Sequence, residues 1–317
     1  MFLRMLVAVG LGFLWQAVSA QAVTPEVFAP GVVSGPVNDA APAFSPDGET
    51  VYFHRSGPSM TAAILVSHRQ HGVWSKPVIA AFSGRWQDIE PAMAPDGSYL
   101  IFSSNRPVAP GGKVLDGCWN SQHYPGGGGN LWRVDRVGSG WGEPRRLPDV
   151  VNSDSSVFSP AVMADGSLFF MKPVGDTGKF HLFRSAYRNG QYEPPMAVSF
   201  SAADSVSDVD PGVAADESFL VFSSRRGGRL MELFIVFRMG GVWGEPRALG
   251  DGVSRGLYCI EAKLSPDGRK LYFSSVYTSP RAGDEVSERL ALERSEWETG
   301  LLNIWSVPLD AWVGRGR

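Results

Sequence analysis

Carboxylates recur at two positions of a segment that is repeated five times along the chain. Aligned on the aspartate of a Pro-Asp-Gly turn, the first position holds Asp39, Asp88, Val157, Asp208 and Cys259, and the second holds Ala41, Glu90, Ser159, Asp210 and Glu261. Two carboxylates on opposite sides of a channel can act as general acid and general base on a glycosidic bond. The same oxygens also suit a hard cation, so Ca²⁺ is a possible ligand of these carboxylates, which are expected at the rim of a central channel.

Basic and polar side chains follow the second apolar run of the repeats and are expected on the same face as the carboxylates. They are His54, Arg55, Asn105, Arg106, Lys172, Arg225 and Arg226. Guanidinium groups pair readily with carboxylates or with a bound anion. An aspartate ahead of a strand commonly accepts backbone N–H bonds, which predicts a structural role for Asp39, Asp88 and Asp208. For Glu90, Asp210 and Glu261, the sequence leaves ligand binding and structural support equally open.

Other chemistry has little support in the sequence. There is no Gly-x-Ser-x-Gly, no His-Glu-x-x-His and no zinc-spaced Cys/His set. Gly126 to Gly129 lack the Lys-Ser or Lys-Thr of a phosphate-binding loop. The formal net charge of −3 argues against a nucleic-acid partner.

The repeat itself predicts the elements that position these residues. The stretch APAFSPDGETVYFHRSG from Ala41 recurs from Glu90, Ser159, Asp210 and Glu261, and the turn aspartates are 49, 69, 51 and 51 residues apart. Pro-Asp-Gly between two apolar runs is typical of a tight hairpin. A third apolar run and an aromatic residue followed by Pro, such as Trp74 with Pro77, complete four strands per copy. A period of this length is typical of a β-propeller.

The fifth copy ends without a fourth strand of its own. The segment Pro25–Pro30 resembles the fourth strand Glu143–Pro148, so the N-terminal part of the chain is predicted to complete the last blade. Such closure removes an exposed sheet edge. The sequence thus predicts an all-β protein, a single propeller of five four-stranded blades closed by an N-terminal strand, with six blades as the alternative.

Two insertions interrupt the repeat on the face that carries the carboxylates: 107–129 and 277–302. The first contains Cys118, Trp119, His123 and Tyr124, a mixture suited to a mobile lid or a sugar-stacking surface, although a plain surface loop is the alternative. The second is predicted to form a solvated helix from Asp284 to Trp297.

The chain begins with the pattern of a secretory signal peptide at residues 1–20. Arg4, an apolar run from Met5 to Leu14 and the small residues before Gln21 have the expected order. Residues 21–317 then form one propeller domain, periplasmic or secreted, with no later segment suited to span a membrane. In an oxidising compartment Cys118 and Cys259 could pair, but the sequence leaves that disulfide open.

With its hairpin turn, its Phe-Ser-Ser strand ending and its Trp-x-x-Pro fourth strand, the sequence resembles the TolB-type β-propellers with WD-like repeats. Phe102 to Arg106 and Phe222 to Gly228 match the family ending closely, and the resemblance covers nearly all of residues 21–317. It implies a periplasmic scaffold for protein or cell-envelope partners. Related propellers also include polysaccharide-degrading enzymes.

Two functional hypotheses follow. The first is an exported binding or scaffolding propeller that engages a protein, glycan or peptidoglycan partner through the insertion-bearing face. The second is a carbohydrate hydrolase or lyase that uses the carboxylates of the central channel. Candidate ligand-binding residues for either are Glu90, Asp210, Glu261, Asp39, Asp88, Asp208, Arg55, Arg106, Arg225, Trp119 and His123.

Overall fold

Every Pro-Asp-Gly turn, or its variant, closes a hairpin with the same hydrogen bond. In a computed structural model, the aspartate Oδ1 accepts the N–H of the residue two positions on, as from Glu49 to Asp47 at 3.0 Å and from Ser167 to Asp165 at 2.9 Å. The glycine of the turn has a positive φ, a conformation that costs glycine little. In the fourth copy Glu217 takes that conformation instead, with φ 57, and its buried carboxylate pairs with Arg184 and Arg238.

The structure describes residues 23–57, 61–175, 178–201, 206–228, 230–250, 252–254, 258–276 and 301–314. The predicted signal peptide and the predicted helix from Asp284 to Trp297 lie outside these ranges. None of the described helices is long and apolar enough to cross a membrane.

The first strand and the first two blades follow in chain order. They comprise β1 Glu26–Val27; in blade one β2 Asn38–Phe44, β3 Thr50–Ser56, β4 Ala62–Gln70, β5 Val73–Trp74 and β6 Val78–Ile79; and in blade two β7 Asp88–Met93, β8 Tyr99–Ser104, β9 Gly117–Trp119, β10 Gln122–Tyr124, β11 Asn130–Val137, β12 Gly140–Trp141 and β13 Arg145–Arg146. The two strands β9 and β10 form a separate hairpin inside the first insertion.

The last three blades repeat the arrangement. Blade three contains β14 Phe158–Val162, β15 Leu168–Val174, β16 Lys179–Ser185, β17 Tyr187–Arg188, β18 Gln191–Tyr192 and β19 Met196–Ala197; blade four contains β20 Asp208–Val213, β21 Phe219–Ser224, β22 Glu232–Met239, β23 Val242–Trp243 and β24 Arg247–Ala248; and blade five contains β25 Cys259–Leu264, β26 Lys270–Ser275 and β27 Asn303–Pro308. A 3-10 helix spans Ser199–Ser201, and helix α1 spans Asp310–Val313.

The predicted closure is confirmed. Strand β1 pairs antiparallel with β27, with Val27 opposite Trp305, and the N–H of Phe28 donates to the carbonyl of Ile304 at 2.8 Å. The fifth sheet therefore has the order β1, β27, β26, β25. The chain is a propeller of five blades, as predicted, with apolar clusters filling the spaces between neighbouring sheets.

Alternating strand direction gives the ring two distinct faces. The hairpin turns between the first two strands of each blade lie on one side, here named the turn face. The connections from the second strand to the third, including the first insertion, lie on the other side with the links between blades. This side is here named the insertion face.

The innermost strand of every blade is bent by a β-bulge at the second carboxylate position. The bulge residues are Ala41, Glu90, Ser159, Asp210 and Glu261, all with φ between 49 and 57. The register with the neighbouring strand shifts at each of these positions. A bulge re-aims a side chain that would otherwise alternate across the sheet. Repeating it around the ring gathers the side chains of this position near the central axis.

The axis is crowded two residues after each bulge, where Ala43, Ala92, Ala161 and Gly212 are small and Lys263 is the exception. A Cβ on Gly212 would lie 2.7 Å from the carbonyl oxygen of Ala262 in the adjacent blade. We therefore expect Gly212→Ala to lower the free energy of unfolding by about 1–3 kcal/mol. Gly140→Ala, where the nearest atom would be 3.8 Å away, is the matched control. Equal melting of both variants and the wild type would refute crowding at the axis.

The sequence leaves open a disulfide between Cys118 and Cys259, and the structure does not contain it. Cys118 is exposed in β9, whereas Cys259 is buried at the start of β25 with its Sγ 3.5 Å from the Oγ of Ser275. Their positions on different blades account for the separation.

Candidate functional site

The first carboxylate position forms an ion pair within blades one, two and four, the three blades that have an aspartate there. Arg55 Nε lies 2.5 Å from Asp39 Oδ1, and Arg106 Nη2 lies 2.9 Å from Asp88 Oδ2. The same contact joins Arg226 to Asp208 in blade four. The three aspartate side chains are buried, and burial raises the pKa of Asp39 to about 6 even though Arg55 opposes the shift.

The same arginines also hold the links between blades. Arg55 Nη2 donates to the carbonyl of Val33 at 3.2 Å, and Arg106 Nη2 donates to that of Phe82 at 2.7 Å. Each aspartate–arginine pair therefore ties the start of an inner strand, the end of its neighbour and the preceding link together. Such contacts give Asp39, Asp88 and Asp208 a structural function in the ring.

The second carboxylate position forms contacts between blades. Glu90 Oε2 accepts the N–H of Ser159 at 2.7 Å, and Asp210 Oδ2 accepts the N–H of Glu261 at 3.0 Å. Blade one contributes in the same way, because His54 Nδ1 accepts the N–H of Glu90 at 3.2 Å. A bulge amide of one blade thus finds its acceptor on the preceding blade.

The three carboxylates of this position, Glu90, Asp210 and Glu261, are buried, with exposed fractions of 5%, 4% and 7%. Burial is the main cause of a raised pKa in each of them. Repulsion from Asp210 adds to it and raises the pKa of Glu90 to about 7, and both neighbours push the pKa of Glu261 well above its usual range. These carboxyl groups therefore retain protons to a higher pH than free carboxyl groups do.

Two basic side chains face these carboxylates. Burial, with repulsion from Lys263, lowers the pKa of His54 to about 3, so its ring is neutral. Because Nδ1 accepts a hydrogen bond, the ring proton is on Nε2, which lies 3.7 Å from Glu261 Oε1. Burial also lowers the pKa of Lys263, whose Nζ donates across the axis to the carbonyl of Pro160 at 3.1 Å.

The carboxylates form the inner end of a cavity on the insertion face. Its volume is about 680 Å³, and Glu90, Asp210 and Glu261 line it together with Lys179 and Arg225. On the turn face, Lys263 and a ring of prolines line a smaller cavity of about 130 Å³. The cavity on the insertion face is the candidate functional site because the buried carboxyl groups line it.

Aromatic residues line the outer part of this cavity: Trp119, Tyr124, Phe158, Phe180 and Tyr258. Trp119 and Tyr124 stack face to face, with ring centroids 4.0 Å apart and planes inclined by 14°. The ring of Trp119 also packs against blade three, because its centroid lies 5.8 Å from the ring centroids of both Phe158 and Phe180. The insertion thus brings an aromatic surface to the mouth of the channel.

The insertion hairpin is fastened to blade three. The N–H of Asn120 donates to the carbonyl of Gly178 at 3.2 Å, and the N–H of Cys118 donates to Ser156 Oγ at 3.0 Å. These contacts hold Trp119 over the cavity.

The remaining candidate residues lie apart from one another. Arg225 is exposed at the rim of the cavity, whereas Arg55 and Arg106 are engaged by aspartates outside it. His123 is exposed on the outer side of the hairpin, with Nε2 3.3 Å from Asp116 Oδ2.

Among the described residues, no group of three or more His, Cys, Asp or Glu side chains is arranged to hold a metal ion. Whether Ca²⁺ binds at the channel rim, as the residue types permit, stays untested.

Comparisons with known proteins agree on the architecture. TolB from Acinetobacter baumannii superimposes with a TM-score of 0.50 at 15% identity, over 86% of this chain and 54% of that one. The chain folds as a TolB-type β-propeller. A protein of unknown function from Dyadobacter fermentans also superimposes on this propeller, with a TM-score of 0.53 at 15% identity, over 81% of this chain and 80% of that one. No family model matches the sequence, and no curated protein is significantly similar to it.

The propeller spans about half the length of the Acinetobacter TolB. At these identities the similarity is one of fold. The candidate site therefore has to be interpreted from its own residues.

Sequence reasoning missed three of the aromatic residues in the wall: Phe158, Phe180 and Tyr258. All three lie at or beside strand starts on the insertion face, two of them next to the first carboxylate position. The same repeat alignment that found the carboxylates could have found Phe158 and Tyr258. Lys263 was missed as well, although it is the one charged residue at a position where the other four blades have Ala or Gly.

Proposed function

We propose that this protein is an exported binding propeller of the cell envelope, and that it holds a glycan or peptide portion of its partner in the insertion-face cavity. The observation that carries the proposal is the aromatic wall, because an insertion outside the repeat supplies Trp119 and Tyr124 to it. An insertion that merely filled space would not need to stack two aromatic rings at the mouth of the channel.

The size and chemistry of the cavity support this function. Its volume of about 680 Å³ is within the range of ligand sites in proteins. Flat aromatic surfaces bury sugar rings or apolar peptide side chains and cost little conformational entropy. The polar groups at its inner end are few and fixed, which suits orientation of a ligand.

A carbohydrate hydrolase or lyase is the second candidate. The observation that favours it is the pKa of Glu90, raised to about 7, which is suited to a general acid. Against it, Glu90 Oε2 is already engaged by the N–H of Ser159 at 2.7 Å and by Ser103 Oγ at 2.9 Å. Turnover of any envelope glycan that Glu90→Gln abolishes in a folded protein would establish the enzyme.

The binding proposal predicts a specific effect of Trp119→Ala. Soluble peptidoglycan fragments and envelope oligosaccharides are titrated into the mature protein and its variants by calorimetry. We expect Trp119→Ala to weaken binding by about 10-fold or more, because removing a stacked aromatic anchor costs about 1.5–3 kcal/mol. Tyr187→Ala is the control, since Tyr187 is a half-buried aromatic residue in β17 near the turn face.

Equal loss of affinity in both variants would mean that Trp119 acts through stability alone. No binding of any fragment by the wild type would move the partner-binding function away from this cavity. Parallel titrations with Ca²⁺ and with EDTA test whether these carboxylates bind a metal cation.

A further inference from the structure

We infer that the inner end of the insertion-face cavity binds a primary ammonium group of the ligand, between the carboxylates of Glu90, Asp210 and Glu261. The inference rests on the proposed function and specifies the ligand chemistry of the same cavity. Four observations carry it: three buried carboxyl groups without an ion-pair contact to a lysine or arginine, an oxygen without a hydrogen-bond partner, the approach of the carboxyl groups from three blades and the aromatic wall.

The three buried carboxyl groups form no ion-pair contact with a lysine or arginine in the part of the chain that the structure describes. Within the part of the chain that the structure describes, no Lys or Arg nitrogen lies within 4.0 Å of a carboxylate oxygen of Glu90, Asp210 or Glu261. The nearby Lys263 directs its Nζ to the carbonyl of Pro160, and the ring of His54 is neutral. Buried charges in proteins are normally paired, so this cluster holds protons until a cation replaces them.

One carboxyl oxygen of the cluster has no hydrogen-bond partner among the described residues. Glu261 is 7% exposed and lines the cavity, and its Oε2 has no hydrogen-bond partner among the described residues. An unpaired buried acceptor is costly and is normally satisfied by a bound group. Its oxygen is therefore free to accept a hydrogen bond from a ligand.

An organic ammonium fits these oxygens better than a metal ion does. A metal needs several oxygens converging at about 2.0–2.6 Å, and the described side chains offer no such group. An ammonium has three diverging N–H donors and reaches separate acceptors at about 2.7–2.9 Å. The carboxylates come from blades two, four and five, so they approach the axis from different directions.

The aromatic wall adds a second attraction for a cation. Trp and Tyr rings attract an ammonium through their π faces, and Trp119 and Tyr124 lie in the same cavity as the carboxylates. Lys179 and Arg225 line the edge of the cavity, whereas the carboxyl groups line its inner end. The ammonium end of a ligand therefore faces inward.

Matched ligand pairs that differ only in acetylation of their amino groups test the inference. The probes are a glucosamine oligomer with its N-acetylated counterpart, and a tetrapeptide with a free N-terminus with its N-acetylated counterpart. Calorimetry at pH 7.5 is expected to give about 10-fold tighter binding for the free amine of at least one pair, since a hydrogen bond to a charged group contributes about 1.5–3 kcal/mol. The pair that shows the difference identifies the source of the amine.

Glu261→Gln removes the carboxyl group that would pair with the bound ammonium, with little change of shape, and we expect it to reduce the preference for the amine to about threefold or less. Its melting curve and its affinity for the acetylated probe control for folding. Equal affinity of the wild type for both members of each pair, lost in Trp119→Ala, would overturn the ammonium inference and leave the proposed function standing. Absence of binding by all four probes would overturn the inference as well.

Discussion

Removal of residues 25–30 is expected to abolish cooperative folding of the propeller. This segment contains β1, the outer strand of blade five, which pairs with β27. Phe28, just after β1, joins that blade to blade one, because its ring lies 5.5 Å from those of Phe44 and Trp74 and 5.3 Å from that of Tyr272. Without the segment, the ring loses its closure and β27 becomes an exposed edge.

The single substitution Phe28→Ala tests the same closure more gently. We expect it to lower the free energy of unfolding by about 2–4 kcal/mol, since it removes an aromatic side chain from a packed cluster. Glu26→Ala, in the same strand but with an exposed side chain, is the control and should change stability little. Denaturant unfolding measures both. A truncated protein that melts like the full chain would contradict closure by β1.

Stability is expected to fall as the pH rises from 6.5 to 8. A carboxyl whose pKa is raised by folding stabilises the folded state fully below its usual pKa of 4.5, and this contribution is lost as the pH rises through the folded value. Glu90, whose pKa is about 7, loses its proton in this window. Burial and repulsion from Asp210 and Glu90 raise the pKa of Glu261 in the same direction.

His54 acts in the opposite direction below pH 6.5. Its lowered pKa means that the unfolded chain binds a proton which the folded chain does not, so its contribution to stability grows up to the usual value of 6.5 and then stays constant. Asp39, at about 6, has completed most of its titration by pH 7. The lowered pKa of Lys263 makes stability rise with pH only where the folded lysine has already lost its proton. In that range alone it opposes the effect of the carboxyl groups.

Melting curves at pH 6.5 and 8 measure the result. We expect the midpoint to fall by about 2 °C, which corresponds to a loss of roughly 1 kcal/mol. Glu90→Gln should reduce this fall by about half or more, whereas Glu143→Gln, which changes an exposed side chain, should leave it unchanged. A midpoint that rises over this range would contradict the assignment of buried, protonated carboxylates at the axis.

The repeat allowed the fold to be predicted from the sequence. Pro-Asp-Gly turns, the alternating second strand and the missing fourth strand of the last copy are local signals, and each has a direct structural counterpart, ending with the pairing of Val27 and Trp305. Aligning the copies also placed Glu90, Asp210 and Glu261 at one level of the ring, because one alignment column corresponds to one height along the axis.

The hydrogen bonds and contacts within the site could not be predicted from the sequence in the same way. Whether Glu90 faces solvent or accepts the N–H of Ser159 depends on the β-bulge and on the distance between blades, and neither follows from residue types. At the axis, the Nζ of Lys263 donates to the carbonyl of Pro160, a contact that the residue type alone does not predict. Likewise, Trp119 becomes part of a wall only because the insertion hairpin is fastened to blade three.

The most direct test of the binding cavity is amide hydrogen exchange of the mature protein with and without soluble peptidoglycan fragments. A ligand in the cavity slows exchange in the hairpin of β9 and β10 and at the insertion-face starts of β14 and β16, while the turn face keeps its rates. Protection confined to those segments, and absent in Trp119→Ala, is the predicted result. Protection of the turn face or of the outer blade edges instead, or no protection anywhere, would contradict the account.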